Sequence, residues 1–418
     1  MIRTSKHTIK YSNQIKLSNL KDFLYEYRRV AALLLDYLWD NPHTINNNIL
    51  DITNHYYNCP NFISTTNLNI PTTLSARALK CCSTQVCSMI KSALEKPKKR
   101  QYMLQKLIKE GRPTTKLQKA IDRQKIVKPD TTNIKAELNS ICCDWKSLTN
   151  NHFDGFIQLK SIGKPFGKIR IPIKYHRHSN KLQSKGTLLN SFLISTKSID
   201  FRWDIPNNKP KTKGIALGAD QGYKDTITFS NGNTTPKCCN HNHTLESITK
   251  KLARKIKGSK AFGQAQEHRI NFINWSINQI DLSNIKEIKL EEIINITYKR
   301  KTSRLMSHWC NTIIRDKLRS KCEEKEVLLT LQSSTYRSQR CYSCGWVQKA
   351  NRKSKQFQCR NCGRVSDADL NAAENLTLEL PKIPYDMRNQ KLNLKGFFWK
   401  SEGFSLDGEE FTVPLSQK

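Results

Sequence analysis

The sequence predicts an α+β chain of several domains, and three observations carry that expectation. The apolar period is helical in the first 130 residues and changes to two from about residue 150. Strands and helices then mix from Lys213 onward. Two cysteine knuckles, Cys341-Tyr-Ser-Cys344 and Cys359-Arg-Asn-Cys362, stand just before the acidic run Asp367-Ala-Asp369-Leu-Asn-Ala-Ala.

Taken in order, residues 1–12 read as a short strand, clearest at Thr8-Ile-Lys-Tyr11. Leu17, Leu20, Leu24, Tyr27, Leu34 and Leu38 recur at helical spacing and predict an amphipathic helix over 17–39. The Asn-, Thr- and Pro-rich stretch 41–72 reads as loop. A second helix is expected from Ser75 to Glu95, ending before Pro97, and a third over 98–128, broken near Gly111 and Pro113. Together these form a small helical domain with a basic face. Alternation at 155–159, 167–173, 191–194 and 199–203, with turn signals between, predicts a small β-barrel or sandwich that the N-terminal strand completes. Pro206, Pro210 and nearby lysines form a linker. Beyond it come a strand pair over 214–230, a long basic helix over 246–280, a strand over 285–293, a helix over 302–325 and a strand over 326–331. No internal repeat is visible, and no pattern emerges after about residue 380.

The 418 residues include 71 Lys and Arg against 35 Asp and Glu, a formal net charge of +36. So large an excess favours a polyanionic partner, since each cation that neutralises a phosphate releases a condensed counterion. No run approaches the roughly 18 apolar residues that span a bilayer, and the N-terminus lacks a secretory apolar core. A cytoplasmic location, with no membrane partner, is therefore expected. There the 14 cysteines would be mostly reduced. Cys81, Cys82, Cys87, Cys142, Cys143, Cys310 and Cys322 sit in apolar or helical contexts and read as small core residues.

The knuckles have the spacing C-x2-C-x14-C-x2-C, one residue short of the usual loop range. Cys341, Cys344, Cys359 and Cys362 would close a tetrahedral zinc site with no position left for water, hence a structural ion. Gly345 and Gly363 follow the knuckles, where tight turns are needed. Elsewhere, Cys238-Cys-Asn-His241-Asn-His243 could hold a second metal but reads more simply as a polar loop.

Two-metal phosphodiester cleavage needs several carboxylates around two divalent ions. A ribonuclease-H-like fold supplies them from a first strand, a central strand and a late helix, and candidates occur here in that order. Asp220 ends the apolar strand of Ile215-Ala-Leu-Gly-Ala-Asp-Gln-Gly222; Glu291 ends Ile285-Lys-Glu-Ile-Lys-Leu-Glu-Glu-Ile293, with Glu292 as rival; Asp369 begins a helix, with Asp367 as rival. Each carboxylate alone has an ordinary explanation as turn former, edge residue or helix cap.

These segments resemble the TnpB family of transposon-associated RNA-guided nucleases and the compact type V CRISPR effectors. The resemblance covers roughly 211–378. Gly-Ala-Asp-Gln-Gly-Tyr-Lys-Asp is similar to the RuvC-I motif, Leu290-Glu-Glu-Ile to RuvC-II and Asp369-Leu-Asn-Ala-Ala to RuvC-III; Arg254 to Lys260 and Tyr336-Arg-Ser-Gln-Arg-Cys341 also look like family features. Ala219 stands where Ile or Val is usual, and Glu292 where Asp is common. The resemblance implies Asp220, Glu291 and Asp369 as catalytic carboxylates on two Mg²⁺ ions. It implies the first strand of a wedge-like barrel at 1–12, a helical recognition domain at 13–130 and the rest of the barrel at 131–210. It places a RuvC-like nuclease at 211–335 and 366–380 and an inserted zinc ribbon at 336–365; residues 381–418, where no pattern is visible, are left as a C-terminal tail that is either ordered or disordered.

The implied partners are a guide RNA and a double-stranded DNA target, with one or two copies of the chain on the RNA. Base pairing would read most of the sequence while the protein holds backbone and reads a short flanking motif. Lys98, Lys99, Arg100, Lys106, Lys109 and Arg112 are candidate backbone contacts in the helical domain, as are Lys250, Lys251, Arg254, Lys255, Lys257 and Lys260 beside the nuclease. Tyr102 and Trp203 are candidates for base stacking, although an aromatic in a barrel strand, as Trp203 is, more often belongs to the core. The rival readings are a guide-dependent DNA binder that represses transcription without effective cutting, an unguided zinc protein and a RuvC-like transposase.

Overall fold

The computed structural model describes residues 1–40, 70–109, 111, 113–149, 151–222, 224–293, 304–383, 388, 390–406 and 409–411. Arg112 and nearly all of the loop expected over 41–72 lie outside the described residues. Contacts divide the chain into two compact units, Met1–Asn207 and Asn208–Lys418. The division falls within the expected proline linker.

The first unit opens with β1 (Ile2–Thr8) and α1 (Gln14–Asp40). Thr8 to Tyr11 is the end of the strand rather than its centre, because Ser12 N–H closes a turn onto the Ile9 carbonyl at 3.1 Å. Helix α1 buries Leu20, Phe23, Leu24, Tyr27, Leu34 and Leu38, the stripe that the spacing predicts. Next come α2 (Ala76–Lys109) and α3 (Thr115–Asp122). The expected stop before Pro97 is absent, and α2 runs through it. Proline forgoes one backbone bond, but Ala78, Cys82, Val86 and Ile90 anchor the preceding turns in the core. The Lys, Arg, Gln and Leu beyond are good helix formers.

The strands β2 (Ala136–Asn139), β3 (Cys143–Ser147), β4 (Gly155–Leu159), β5 (Ile169–Ile173), β6 (Thr187–Ile194) and β7 (Ser198–Asp204) follow, with α4 (Arg177–Gln183) between β5 and β6. They form two antiparallel sheets, β1-β7-β6-β2 and β3-β4-β5. Strand β1 pairs with β7 from Ile2↔Asp204 to Thr8↔Ser198, so the N-terminal strand does complete a sheet. One core joins helices and sheets, with Leu24, Val86, Ile157, Ile171, Phe192 and Phe201 all buried. Trp203 belongs to that core, 2% exposed, and its Nε1 donates to Ser5 Oγ at 2.9 Å. It is thus a packing residue and no base-stacking platform. Cys81, Cys82, Cys87, Cys142, Cys143 and Cys322 are buried and Cys310 half-buried, as expected of small core residues.

His7 gives the first unit a pH dependence. It is buried among Phe201, Tyr175 and His176, and burial above all lowers its pKa from the ordinary 6.5 to about 4. Between those values the unfolded chain takes up a proton that the folded chain refuses, so stability is present above pH 6.5 and lost on acidification. We expect a loss of up to about 3 kcal/mol over this window, read as a falling urea midpoint. His7→Gln should flatten that part of the curve.

The second unit contains β8 (Ile215–Asp220), β9 (Thr228–Phe229), α5 (Leu245–Ala253), α6 (Lys260–Asn278), β10 (Ile285–Glu292), α7 (Asn311–Glu324) and β11 (Leu328–Ser333). The basic helix expected over 246–280 is two helices. Gly258 sits at φ +88°, and Ser259 caps α6 by accepting the Phe262 N–H at 3.1 Å. The helix expected over 302–325 begins only at Asn311. The sheet order is β11-β10-β8-β9, with β8, β10 and β11 parallel and β9 antiparallel.

The cysteine segment holds β12 (Trp346–Val347), β13 (Arg352–Lys353), β14 (Gln356–Gln358) and β15 (Val365–Asp367), and leads into α8 (Ala368–Thr377). Within the stretch read as a patternless tail, the described residues include three strands. Strands β16 (Phe397–Lys400), β17 (Gly403–Leu406) and β18 (Glu409–Phe411) extend from β12 as one sheet. Phe397, Trp399 and Phe404 bury themselves with Val347, Ile383 and Leu392. Among the described residues no helix is long and apolar enough to cross a membrane.

Candidate metal centre

Strands β8 and β10 run side by side with Ala219 opposite Leu290, so the next residues, Asp220 at the end of β8 and Glu291 one residue before the end of β10, lie at one level. Their side chains are hydrogen-bonded to each other. Burial raises the Asp220 pKa to about 7; the Asp369 charge adds to the rise, and Arg352 and Lys355 oppose it. Burial, and next the Asp220 charge, drive Glu291 well above the usual carboxylate range. Two buried carboxyls in contact resist ionising together unless a cation joins them. Glu292, on the opposite face of the strand by alternation, takes no part in this pair.

Asp369 arrives on α8. Its rival Asp367 is the helix cap, accepting the N–H groups of Asp369 at 2.9 Å and Leu370 at 3.0 Å, which leaves the Asp369 carboxylate free for other partners. Strand β8 admits α8 closely because residue 218 is glycine: a Cβ there would lie 1.9 Å from the Ala373 carbonyl oxygen. With backbone on both sides neither can give way, so Gly218→Ala is expected to lower stability by at least about 2 kcal/mol, measured by urea denaturation.

A buried polar network pins α8 from the other side. Asn371 and Asn375 each donate to the Arg340 carbonyl at 2.8 Å, and Arg340 donates back to Asn375 Oδ1 at 2.7 Å. Arg337 donates to the Asn375 and Leu378 carbonyls at the helix end. Burial lowers both guanidinium pKa values to about 10. Sequence reasoning marks Tyr336 to Cys341 only as a family feature; the i, i+4 pair of asparagines is the legible trace of this dock.

Next to the carboxylates, Gln221 donates from Nε2 to the Glu291 carbonyl at 3.1 Å, while its buried Oε1 lacks a donor. Carboxylate and amide oxygens are hard donors, which fits Mg²⁺ better than a soft metal. Asp369 is held by two cations that no sequence signal singles out. Arg352 Nη2 lies 2.9 Å from Oδ1, and Lys355 Nζ contacts Oδ2 and also reaches Asp225 Oδ2 at 2.9 Å.

The four knuckle sulfurs all lie within 4.8 Å of one another, and among the described residues no other cluster of three or more His, Cys, Asp or Glu is so close. Thus Asp220, Glu291 and Asp369 do not yet converge as tightly, and the Cys238 to His243 segment remains a turn, with the His243 ring 4.9 Å from His268. Cys341–Cys362 and Cys344–Cys359 are each 3.6 Å apart, close to the edge of about 3.8 Å that a tetrahedron of roughly 2.3 Å Zn–S bonds has. Gly345 and Gly363 adopt φ +82° and +75° as the knuckle turns require.

Lys98, Lys99, Arg100, Lys106 and Lys109 are exposed on the outer half of α2, beside Tyr102, which is 68% exposed. Lys98 lies 3.5 Å from Glu95, and Arg100 donates to Gln124. Lys250 and Lys251 end α5, Arg254, Lys255 and Lys257 occupy the loop after it, and Lys260 opens α6; Lys255 is half-buried and the rest are exposed.

A mostly parallel sheet with an antiparallel edge, a helix that carries Asp369 and an inserted four-cysteine ribbon make up an α/β unit. Parts of it are similar to known proteins. The family described as Cas12f1-like, TNB domain, matches residues 312–376. The chain is 34% identical over 92 residues to the CRISPR-associated endodeoxyribonuclease Cas12f1 of Sulfoacidibacillus thermotolerans, covering 22% of this chain and 21% of that protein. It is 36% identical over 81 residues to the transposase-like protein A625R of Paramecium bursaria Chlorella virus 1, covering 19% and 18%. These matches span about a fifth of the relatives' lengths. A cryo-EM structure of a Cas12f1–sgRNA–target DNA complex matches in fold at a TM-score of 0.52 and 16% identity, over 87% of this chain and 82% of that one. The resemblance to the compact type V effectors is borne out.

Proposed function

We propose that this chain is an RNA-guided DNA endonuclease that binds a structured guide RNA and cleaves complementary DNA at a RuvC-like centre. The observation that carries the reading is the Asp220–Glu291 pair, two carboxyls brought together on adjacent parallel strands and kept from ionising jointly. With Asp369 on α8 they would hold two Mg²⁺ ions, which when bound activate water and stabilise the leaving oxygen of the phosphodiester. Gly218 and the Arg337–Arg340–Asn371–Asn375 network hold α8 at the strand ends. Cys341, Cys344, Cys359 and Cys362 would bind a structural zinc ion.

In this reading 1–12 and 131–210 are the wedge-like barrel, 13–130 the recognition segment, 211–335 and 366–380 the nuclease and 336–365 the ribbon, which the strands of 381–418 extend. The exposed cations of α2 and of 250–260 would track phosphate. Residues 13–130 share a core with the barrel, so the barrel and the base of α2 would bind nucleic acid as one body.

One observation favours a second reading, a guide-dependent DNA binder with little or no cutting: Asp369 is already neutralised by Arg352 and Lys355. Sequencing the RNA that co-purifies with the chain, then adding DNA matched to it with Mg²⁺, separates the two. Bound RNA with cleavage supports the nuclease; bound RNA with DNA retention and no cleavage supports the binder; absence of RNA refutes both.

A further inference from the structure

Lys355 sits in the turn between β13 and β14, where Ser354 adopts φ +57°. Its carbonyl accepts the N–H of Ala368, the first residue of α8, at 2.8 Å. The ribbon hairpin is therefore tied to the helix that carries Asp369. Both oxygens of Asp369 are engaged, one by Arg352 and one by Lys355. Neither Asp220 nor Glu291 forms an ion pair among the described residues. The Lys355 side chain is 40% exposed and that of Asp369 only 7%. The lysine has water to move into, whereas the carboxylate does not. Asp225, whose Oδ2 already accepts from the same ammonium at 2.9 Å, provides a place for it to remain.

We propose that Lys355 is a positioning residue and an exchangeable counter-ion, holding Asp369 until a divalent cation displaces it toward Asp225. This rests on the reading of Asp220, Glu291 and Asp369 as a metal centre. Binding of the cation is then a competition, in which the ion must take one Asp369 oxygen from an ammonium while meeting the Asp220–Glu291 pair, which has no direct ion-pair partner among the described residues. The ribbon thereby sets the divalent affinity of a centre to which it contributes no ligand.

The test uses the full chain, freed of RNA and loaded with zinc, with Mn²⁺ as probe and free Mn²⁺ read by electron paramagnetic resonance. Lys355→Gln is expected to bind Mn²⁺ about twofold to fivefold more tightly, the range that a partly exposed ion pair allows. Lys355→Arg, which keeps the charge, should match the unsubstituted chain. Lys353→Gln, an exposed cation on the same hairpin, should have a smaller effect. Equal zinc content and melting temperature of Lys355→Gln would show the ribbon intact. An unchanged or weaker affinity in Lys355→Gln, or an equal gain in Lys353→Gln, overturns the proposal while leaving the metal centre standing. If the unsubstituted chain has no Mn²⁺ site that Asp220→Asn with Glu291→Gln removes, the centre itself falls, and the proposal with it.

Discussion

Glu291→Ala is expected to abolish cleavage of matched DNA, by a factor of at least about 10³, or roughly 4 kcal/mol of transition-state stabilisation. Binding of RNA and DNA should be unchanged. Glu291 and Asp220 lie near the ends of neighbouring strands with their carboxyls in contact, so removing one leaves the other without a partner for a shared ion. The same substitution removes a buried like-charge conflict, and the metal-free protein should therefore melt no lower than the unsubstituted chain at neutral pH. A gel cleavage assay beside a filter-binding assay and a thermal melt reads all three. Undiminished cutting by Glu291→Ala would remove Glu291 from the centre.

Cys359→Ser is expected to have the second large effect. Cys359 Sγ accepts the N–H groups of Asn361 and Cys362 at 3.4 Å and lies 3.6 Å from Cys344 Sγ. Losing one of four thiolates should drop zinc content from about one ion per chain to a small fraction after mild chelation. The damage should spread, because Arg360 N–H donates to Asn351 Oδ1 at 2.9 Å and so ties the second knuckle to the hairpin carrying Arg352 and Lys355. Cleavage should fall with zinc content while the melting of Met1–Asn207 stays put. Metal analysis and calorimetry are the measurements, and full zinc retention would contradict the ligand assignment.

The parts of the fold that follow one local rule were legible. The stripe of α1, the alternating strands of the barrel and the knuckle spacing each depend on residues near in sequence. Pro97 misled because a helix anchored by Ala78 to Ile90 can absorb one missing bond. Strands β16 and β17 were invisible for another reason. Phe397-Phe-Trp-Lys400 and Gly403-Phe-Ser-Leu406 are four residues each, too short to show a period, and β16 pairs with the distant Trp346–Val347.

In the site, order along the chain suggested three carboxylates and the resemblance favoured Asp369 over Asp367; the geometry adds that Asp367 turns back to cap the helix and Asp369 does not. Arg352 and Lys355 had no signal at all. In a chain with 71 cations, two that matter look like all the others until a hairpin folds them over a carboxylate.

The C-terminal strands carry a lesson for anyone wishing to make this protein smaller. Trimming before Phe397 would take from Trp346–Val347 the neighbour that completes its hydrogen bonding. It would also expose the underside of Val347 and leave the Arg340 guanidinium without the Trp399 carbonyl to which its Nε donates at 2.7 Å. What resembles dispensable trailing sequence is the floor on which the four-cysteine ribbon stands.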